Sequence, residues 1–119
     1  TTLFRSGNFG HKNIPATVPQ EIATCFYRVT QESLNNVARH AEASRVEVEL
    51  TGSQSELMVM ITDNGVGFDS ERPRNGSHGL GLLGMKERVA LVNGALHVAS
   101  SVGKGTRVQL VVLVPQEVS

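Results

Sequence analysis

From Pro19 to Ala41 the apolar positions Ile22, Phe26, Val29, Val37 and Ala41 recur near 3.6-residue spacing. That period predicts one long helix with a buried stripe. Pro19 suits the first helical turn, and Glu21 suits the positive end of the helix dipole. Glu32, Asn36 and His40 follow one another four residues apart and share a second, polar face. The pattern then switches to alternation. Over Arg45–Thr51, Val46, Val48 and Leu50 oppose Glu47 and Glu49, which predicts a half-buried strand. A turn-rich connector, 52–56, leads to a second strand, Leu57–Thr62, and the two should form a hairpin. Leu80–Asn93 predicts a helix with Leu82, Met85, Val89 and Val92 inward and Gly94 as its C-terminal stop. Ala95–Ser100 and Thr106–Val114 predict two strands joined by a glycine-rich turn. At the start, Leu3–Phe9 has a faint edge-strand pattern and Gly10–Thr17 has the composition of a loop. The order implies an α/β two-layer fold: one sheet covered on one face by helices.

Composition narrows this picture. The chain has 119 residues and 12.8 kDa, the size of one domain with a real core. Hydrophobic residues at 39% and charged residues at 18% exclude a disordered chain. Eleven basic and eleven acidic side chains leave no basic excess, which argues against a nucleic-acid partner. A single cysteine, Cys25, forbids an internal disulfide and suits a reducing, cytoplasmic compartment. The longest apolar run, Leu110–Val114, is far below a membrane span, so no membrane contact is expected of this domain. The chain does not begin with methionine and is expected to be a C-terminal piece of a longer protein, with room in the remainder for a membrane anchor.

Four segments are candidates for chemistry, and each also has an ordinary structural explanation. Asp63-Asn64-Gly65-Val66-Gly67-Phe68 follows a strand. Its glycines allow a ligand close to the backbone, and Asp63 offers an acceptor for donors such as an exocyclic amine. Asp-Asn-Gly is equally an ordinary turn. Gly79-Leu80-Gly81-Leu82-Leu83-Gly84 matches G-x-G-x-x-G literally. However, a polar loop precedes it and no acidic residue follows about 20 positions on, which argues against a dinucleotide fold. Glycines at a helix start still suit an anion such as phosphate, or simply close packing. Glu32, Asn36, Arg39 and His40 form a polar helix face. It offers oxygen ligands for Mg²⁺ and a cation for phosphate, or it is merely solvated. Gly103-Lys104-Gly105-Thr106 places a hydroxyl at a strand start, or is only a hairpin turn. Between the first two segments lies a glycine-containing stretch, 63–79, long enough to suggest a functional loop.

Order and combination carry more than any single segment. From Val18 to Pro115 the series resembles the nucleotide-binding domain of sensor histidine kinases, gyrase-type topoisomerases, MutL-like repair proteins and large heat-shock chaperones. The narrower resemblance is to the ATP-binding catalytic domain of the nitrate- and desaturase-sensor kinases. It rests on Tyr27-Arg28-Val29-Thr30-Gln31-Glu32-Ser33-Leu34-Asn35-Asn36-Val37-Ala38-Arg39-His40-Ala41 and His78-Gly79-Leu80-Gly81-Leu82-Leu83-Gly84-Met85-Lys86-Glu87-Arg88-Val89. Lys86 stands where the subfamily often has arginine.

The resemblance implies a Bergerat-type α/β (α+β) sandwich with a mixed, mostly antiparallel sheet. It implies ATP and Mg²⁺ as cofactors, with Asn36 as Mg²⁺ ligand and Glu32 supporting a metal-bound water as a second catalytic residue. Arg39 and His40 would lie near the phosphates. Asp63 would accept from the adenine amine, joined by Thr106 through water, with Gly65 and Gly67 lining the base pocket. Gly79, Gly81 and Gly84 would face phosphate, with Leu80 and Leu82 between them, and Asp69–His78 would be a short lid.

Such a domain donates the γ-phosphate to a histidine on a dimerisation domain, which then serves a response regulator. No dimerising hairpin fits before Pro19, and none of His11, His40, His78 or His97 is followed by an acidic residue. The fragment is therefore expected to bind ATP·Mg²⁺ without efficient self-phosphorylation. The same pocket also suits an anti-sigma-type serine kinase or an ATPase, or a non-catalytic ATP-binding interaction module.

Overall fold

The computed structural model describes residues 6–12, 18–53, 55–68 and 81–115, with only the backbone described at 6–12, 40 and 41. The element order is β1 (Ser6–Lys12), α1 (Gln20–Asn36), a π-helical turn (Val37–Ala41), β2 (Val46–Gly52), β3 (Glu56–Asp63), α2 (Leu82–Ala90), β4 (Ala95–Ser100) and β5 (Thr106–Leu113). The strands form one sheet in the order β1-β2-β3-β5-β4. β1 runs parallel to β2, and every other neighbouring pair is antiparallel. This is the mixed, mostly antiparallel sheet expected.

Alternation along the strands decides which face is covered. Leu57, Val59 and Ile61 of β3 and Val108, Leu110 and Val112 of β5 point inward and are buried. Val46 and Val48 extend the same face on β2, and Leu96 and Val98 extend it on β4. Helix α1 lays Ile22, Cys25, Phe26 and Val29 on this face, and α2 adds Met85 and Val89. The expected stripe is therefore buried at Ile22, Phe26, Val29 and Val37. The Ala41 side chain lies outside the described residues.

Several boundaries differ from the periodic expectation. Pro19 is the N-cap of α1 rather than its first helical residue, because its ψ of 146° is extended. Its carbonyl accepts from the Ile22 and Ala23 N–H groups. The expected single helix to Ala41 ends at Asn36 and continues as the wider π turn, closed by Glu42 in a left-handed conformation (φ 50°). Val37, the first residue of this turn, and Ala43, just after it, are buried. β1 reaches Lys12, inside the expected loop, because an edge strand pairs through its main chain and needs no apolar alternation. At the end of α2 the left-handed residue is Asn93 (φ 56°), not Gly94. Gly94 instead packs so tightly that an added Cβ would stand 2.9 Å from a Val112 methyl and 3.0 Å from a Val89 methyl.

Candidate functional site

The topology brings the C-terminal end of β3 beside the start of β5, under the end of α1 and the start of α2. A partly enclosed cleft opens there. Its walls are mostly apolar: Val37, Ile61, Phe68, Leu82, Val98 and Val108. Its polar groups are Ser33 and Asn36 from α1, Asp63 from β3 and Thr106 from β5. A wider, more open groove lies between α1 and β2–β3, but among the described residues it is lined by no carboxylate and no buried polar side chain. Both buried polar side chains of the described residues line the first cleft.

Asp63 is only 8% exposed. The Gly65 N–H donates to its Oδ1 at 2.7 Å, an ordinary turn contact that here also orients the carboxylate. Burial pushes the Asp63 carboxyl above the usual carboxylate range, while the Gly65 and Thr106 backbone N–H groups pull it back down. Asn64 has a structural role. Its Oδ1 accepts from the Ser44 and Arg45 N–H groups at 3.1 and 3.0 Å, and its Nδ2 donates to Ser44 Oγ at 3.0 Å. These bonds clamp the segment after β3 to the entry of β2.

Ser100 organises the far wall. The Phe68 N–H donates to its Oγ at 2.8 Å, and its hydroxyl donates to the Gly105 carbonyl at 2.9 Å. Thr106 Oγ1 stands 2.8 Å from the same oxygen. Either hydroxyl can be the donor of this pair, and in both cases the Thr106 oxygen has a lone pair left over. The Thr106 oxygen thus keeps its acceptor capacity beside a second acceptor, Asp63.

Gly67 must be glycine. Its φ is +65°, and an added Cβ would overlap the carbonyl oxygens of Ser101 and Gly105. Gly67→Ala is expected to cost about 1–3 kcal/mol of stability, because backbone on both sides has to move. Urea unfolding checks this; an unchanged midpoint would mean that the segment is not held as described.

Five of the expected site residues meet at the cleft: Asn36, Asp63, Gly67, Leu82 and Thr106. Gly65 supports the Asp63 carboxylate from beneath. Gly81 caps α2 with φ +70°, and the Glu32 carboxylate lies against it, so Glu32 faces the start of α2 rather than the cleft wall. Arg39 is exposed on the π turn and does not line the cleft. Gly79, Leu80, the Asp69–His78 segment and the His40 side chain lie outside the described residues.

Gly84 is exposed on α2, and an added Cβ there meets nothing within 4 Å. Gly84→Ala is therefore expected to stabilise the chain by up to about 1 kcal/mol through helix propensity. A thermal melt checks that gain. A parallel nucleotide titration shows whether the open space at Gly84 is needed by a phosphate.

Ser33 and Ser100 were not singled out by the sequence, although both leave a trace in it. Each is a polar residue at an inward position, Ser33 between Val29 and Val37 on the helix stripe and Ser100 two residues after Val98 on β4.

The architecture is shared with solved proteins. The Erythrobacter litoralis EL346 blue-light activated histidine kinase superposes with a TM-score of 0.67 at 22% identity, over 96% of this chain and 36% of that one. The histidine kinase domain of the same protein gives 0.59 at 23% identity, over 87% of this chain and 53% of that one. At these identities the likeness concerns the fold alone.

Sequence relatives are nearer. The signal transduction histidine-protein kinase/phosphatase DegS of Brevibacillus brevis is 36% identical over 101 residues, which is 85% of this chain and 26% of DegS. The oxygen sensor histidine kinase NreB of Staphylococcus carnosus is 41% identical over 101 residues, 84% of this chain and 29% of NreB. The sensor histidine kinase ComP of Bacillus subtilis is 38% identical over 84 residues, 71% of this chain and 11% of ComP. The chain thus spans less than a third of the length of these relatives. The model of the histidine kinase-, DNA gyrase B- and HSP90-like ATPases matches residues 22–116, from the first turn of α1 to just past β5. With four-fifths of its length matched by that model and its fold and cleft arranged as described, the chain belongs to the histidine kinase-, DNA gyrase B- and HSP90-like ATPase family.

Proposed function

We propose that this chain binds ATP with Mg²⁺ in the cleft and serves as the catalytic domain of a two-component sensor histidine kinase. The γ-phosphate would pass to a histidine on a separate dimerisation domain, and from there to a response regulator. The observation that carries the reading is Asp63: a buried carboxylate, oriented by backbone N–H groups, in a cleft with otherwise mostly apolar walls. Asp63 and the Thr106 oxygen present two acceptors, which suit an exocyclic amine with two hydrogens. Val37, Ile61, Leu82, Val98 and Val108 supply the apolar surface that a flat purine needs. That the relatives DegS, NreB and ComP are histidine kinases by name supports the choice of acceptor.

The residues present fit Mg²⁺ in the manner typical of nucleotide sites. Among the described residues no three His, Cys, Asp or Glu side chains gather into a protein-only cage. Asn36 contributes an amide to the cleft wall, and Glu32 stands one turn earlier on the same helix. One or two protein oxygens of this kind, completed by phosphate oxygens and water, is how Mg²⁺ is usually held. When bound, the ion would neutralise charge on the phosphate oxygens. Asn36 then orients the nucleotide, and Glu32 is proposed to act through a bound water. Arg39 and His40, on the π turn beside Asn36, are proposed to meet the phosphates, as are Gly81 and Gly84 at the start of α2 and Gly79, which lies outside the described residues. Among the described residues no helix is long and apolar enough to cross a membrane.

Two measurements test the reading. Titration of this chain with ATP and Mg²⁺, followed by NMR, should perturb the amides around Asp63, Gly67 and Thr106. Perturbation confined to the second groove would refute the site. Mixing the chain with a histidine-bearing dimerisation domain should then yield acid-labile phosphate, whereas an acid-stable phosphoserine would refute the choice of acceptor.

A further inference from the structure

Among the described residues only two polar or charged side chains are buried, Asp63 at 8% exposure and Ser33 at 3%, and both line the same cleft. Asp63 is accounted for by the reading above, and Ser33 is not. It stands on the apolar stripe of α1, between Val29 and Val37, where alanine would pack as well without burying a hydroxyl. Among the described residues its one hydrogen-bond contact is the Met85 sulphur, 4.0 Å away. A thioether is a weak acceptor, and that distance is at the outer limit for sulphur. The hydroxyl therefore has donor capacity available on the cleft wall.

The other polar groups there leave a matching need. Asp63, when ionised, only accepts, and the Thr106 hydroxyl is already engaged with Ser100 at 2.8 Å, a pair in which either oxygen can donate. The polar edge of adenine presents a donor, the exocyclic amine, next to ring nitrogens that only accept. An acceptor and a donor are required side by side, and guanine presents an acceptor oxygen where adenine has its amine.

We infer that Ser33 is a second anchor for the nucleobase, its hydroxyl donating directly or through one water to a ring nitrogen flanking the amine that Asp63 receives. This assignment rests on the proposed nucleotide site. Without nucleotide the hydroxyl rests on Met85, and rotation about one side-chain bond turns it to the base.

Calorimetric titration of this chain and of Ser33→Ala with ATP, 1-deaza-ATP and 7-deaza-ATP tests the assignment. Ser33→Ala is expected to bind ATP about three- to tenfold more weakly. Its thermal midpoint should not fall, because only a long sulphur contact is lost and alanine suits a buried helical position. Against the analogue that lacks the partnered nitrogen, parent and variant should bind alike. Equal ATP affinity in parent and variant overturns the assignment and leaves the nucleotide site standing. So does a loss of the same factor for ATP and both analogues, which would mark a packing role. A parent chain that binds no ATP at all overturns the nucleotide reading itself, and Ser33 with it.

Discussion

Replacing Asp63 with asparagine is expected to weaken ATP binding by roughly 10- to 150-fold, the value of one hydrogen bond to a charged group at about 1.5–3 kcal/mol. The substitution keeps the shape and an acceptor oxygen for the Gly65 N–H, so the fold should survive. What is lost is the charge that favours an amine donor inside an apolar cleft. Stability should move the other way. Burial, the largest influence, raises the Asp63 pKa in the folded chain above its unfolded value of about 3.9. The folded state therefore holds this proton more tightly than the unfolded state. The group's favourable contribution is full below the unfolded pKa and is lost as pH rises through the folded pKa. At neutral pH the ionised carboxylate is a liability that binding requires and folding does not. Asp63→Asn should thus be at least as stable as the parent at pH 7, and its relative advantage should shrink as pH falls toward 4. Urea unfolding of both proteins across that range checks the sign, and calorimetry checks the affinity. A variant that binds ATP like the parent would remove Asp63 from the base site.

Much of this site was legible because its residues sit at the ends of periodic elements. Alternation placed β2, β3, β4 and β5 to within about a residue, and Asp63 and Thr106 are the pair that closes the β3–β5 ladder. Once those strands pair, the aspartate and the hydroxyl must share one end of the sheet. Asn36 follows because the last α-helical turn of α1 lies over that end. Ser33 and Ser100 stayed hidden for a physical reason: a lone polar residue within an apolar stripe has the same pattern as a tolerated defect. Only three-dimensional burial shows that one faces the cleft and that the other ties Phe68, Gly105 and Thr106 together. The π turn was hidden because Val37 and Ala41 keep a four-residue spacing that an ordinary α-helix shares. Gly84 and Gly81 look equivalent in a linear motif. The backbone separates them, one a left-handed cap against Glu32 and the other an exposed helical residue with open space around it.

The largest stability loss is expected from Leu110→Ala. Leu110 is 0% exposed on β5, with Val59 of β3 opposite on one side and Leu96 of β4 opposite on the other. Truncating it removes buried methyl groups and leaves a cavity that two hydrogen-bonded neighbouring strands cannot readily fill by moving. Substitutions of this kind cost about 3–5 kcal/mol. A domain near this size loses about 4 °C of melting temperature per kcal/mol, so the midpoint should fall by roughly 10–20 °C. Leu113→Ala on the same strand is the matched control. It is an odd number of residues away, faces the other side of the sheet and is 68% exposed, so its cost should stay within about 0.5 kcal/mol. The contrast isolates the alternation on which the helix-covered face, and with it the placement of the cleft, depends. Similar losses at both positions would mean that the second face of the sheet is also covered in solution, and that the architecture has three layers rather than two.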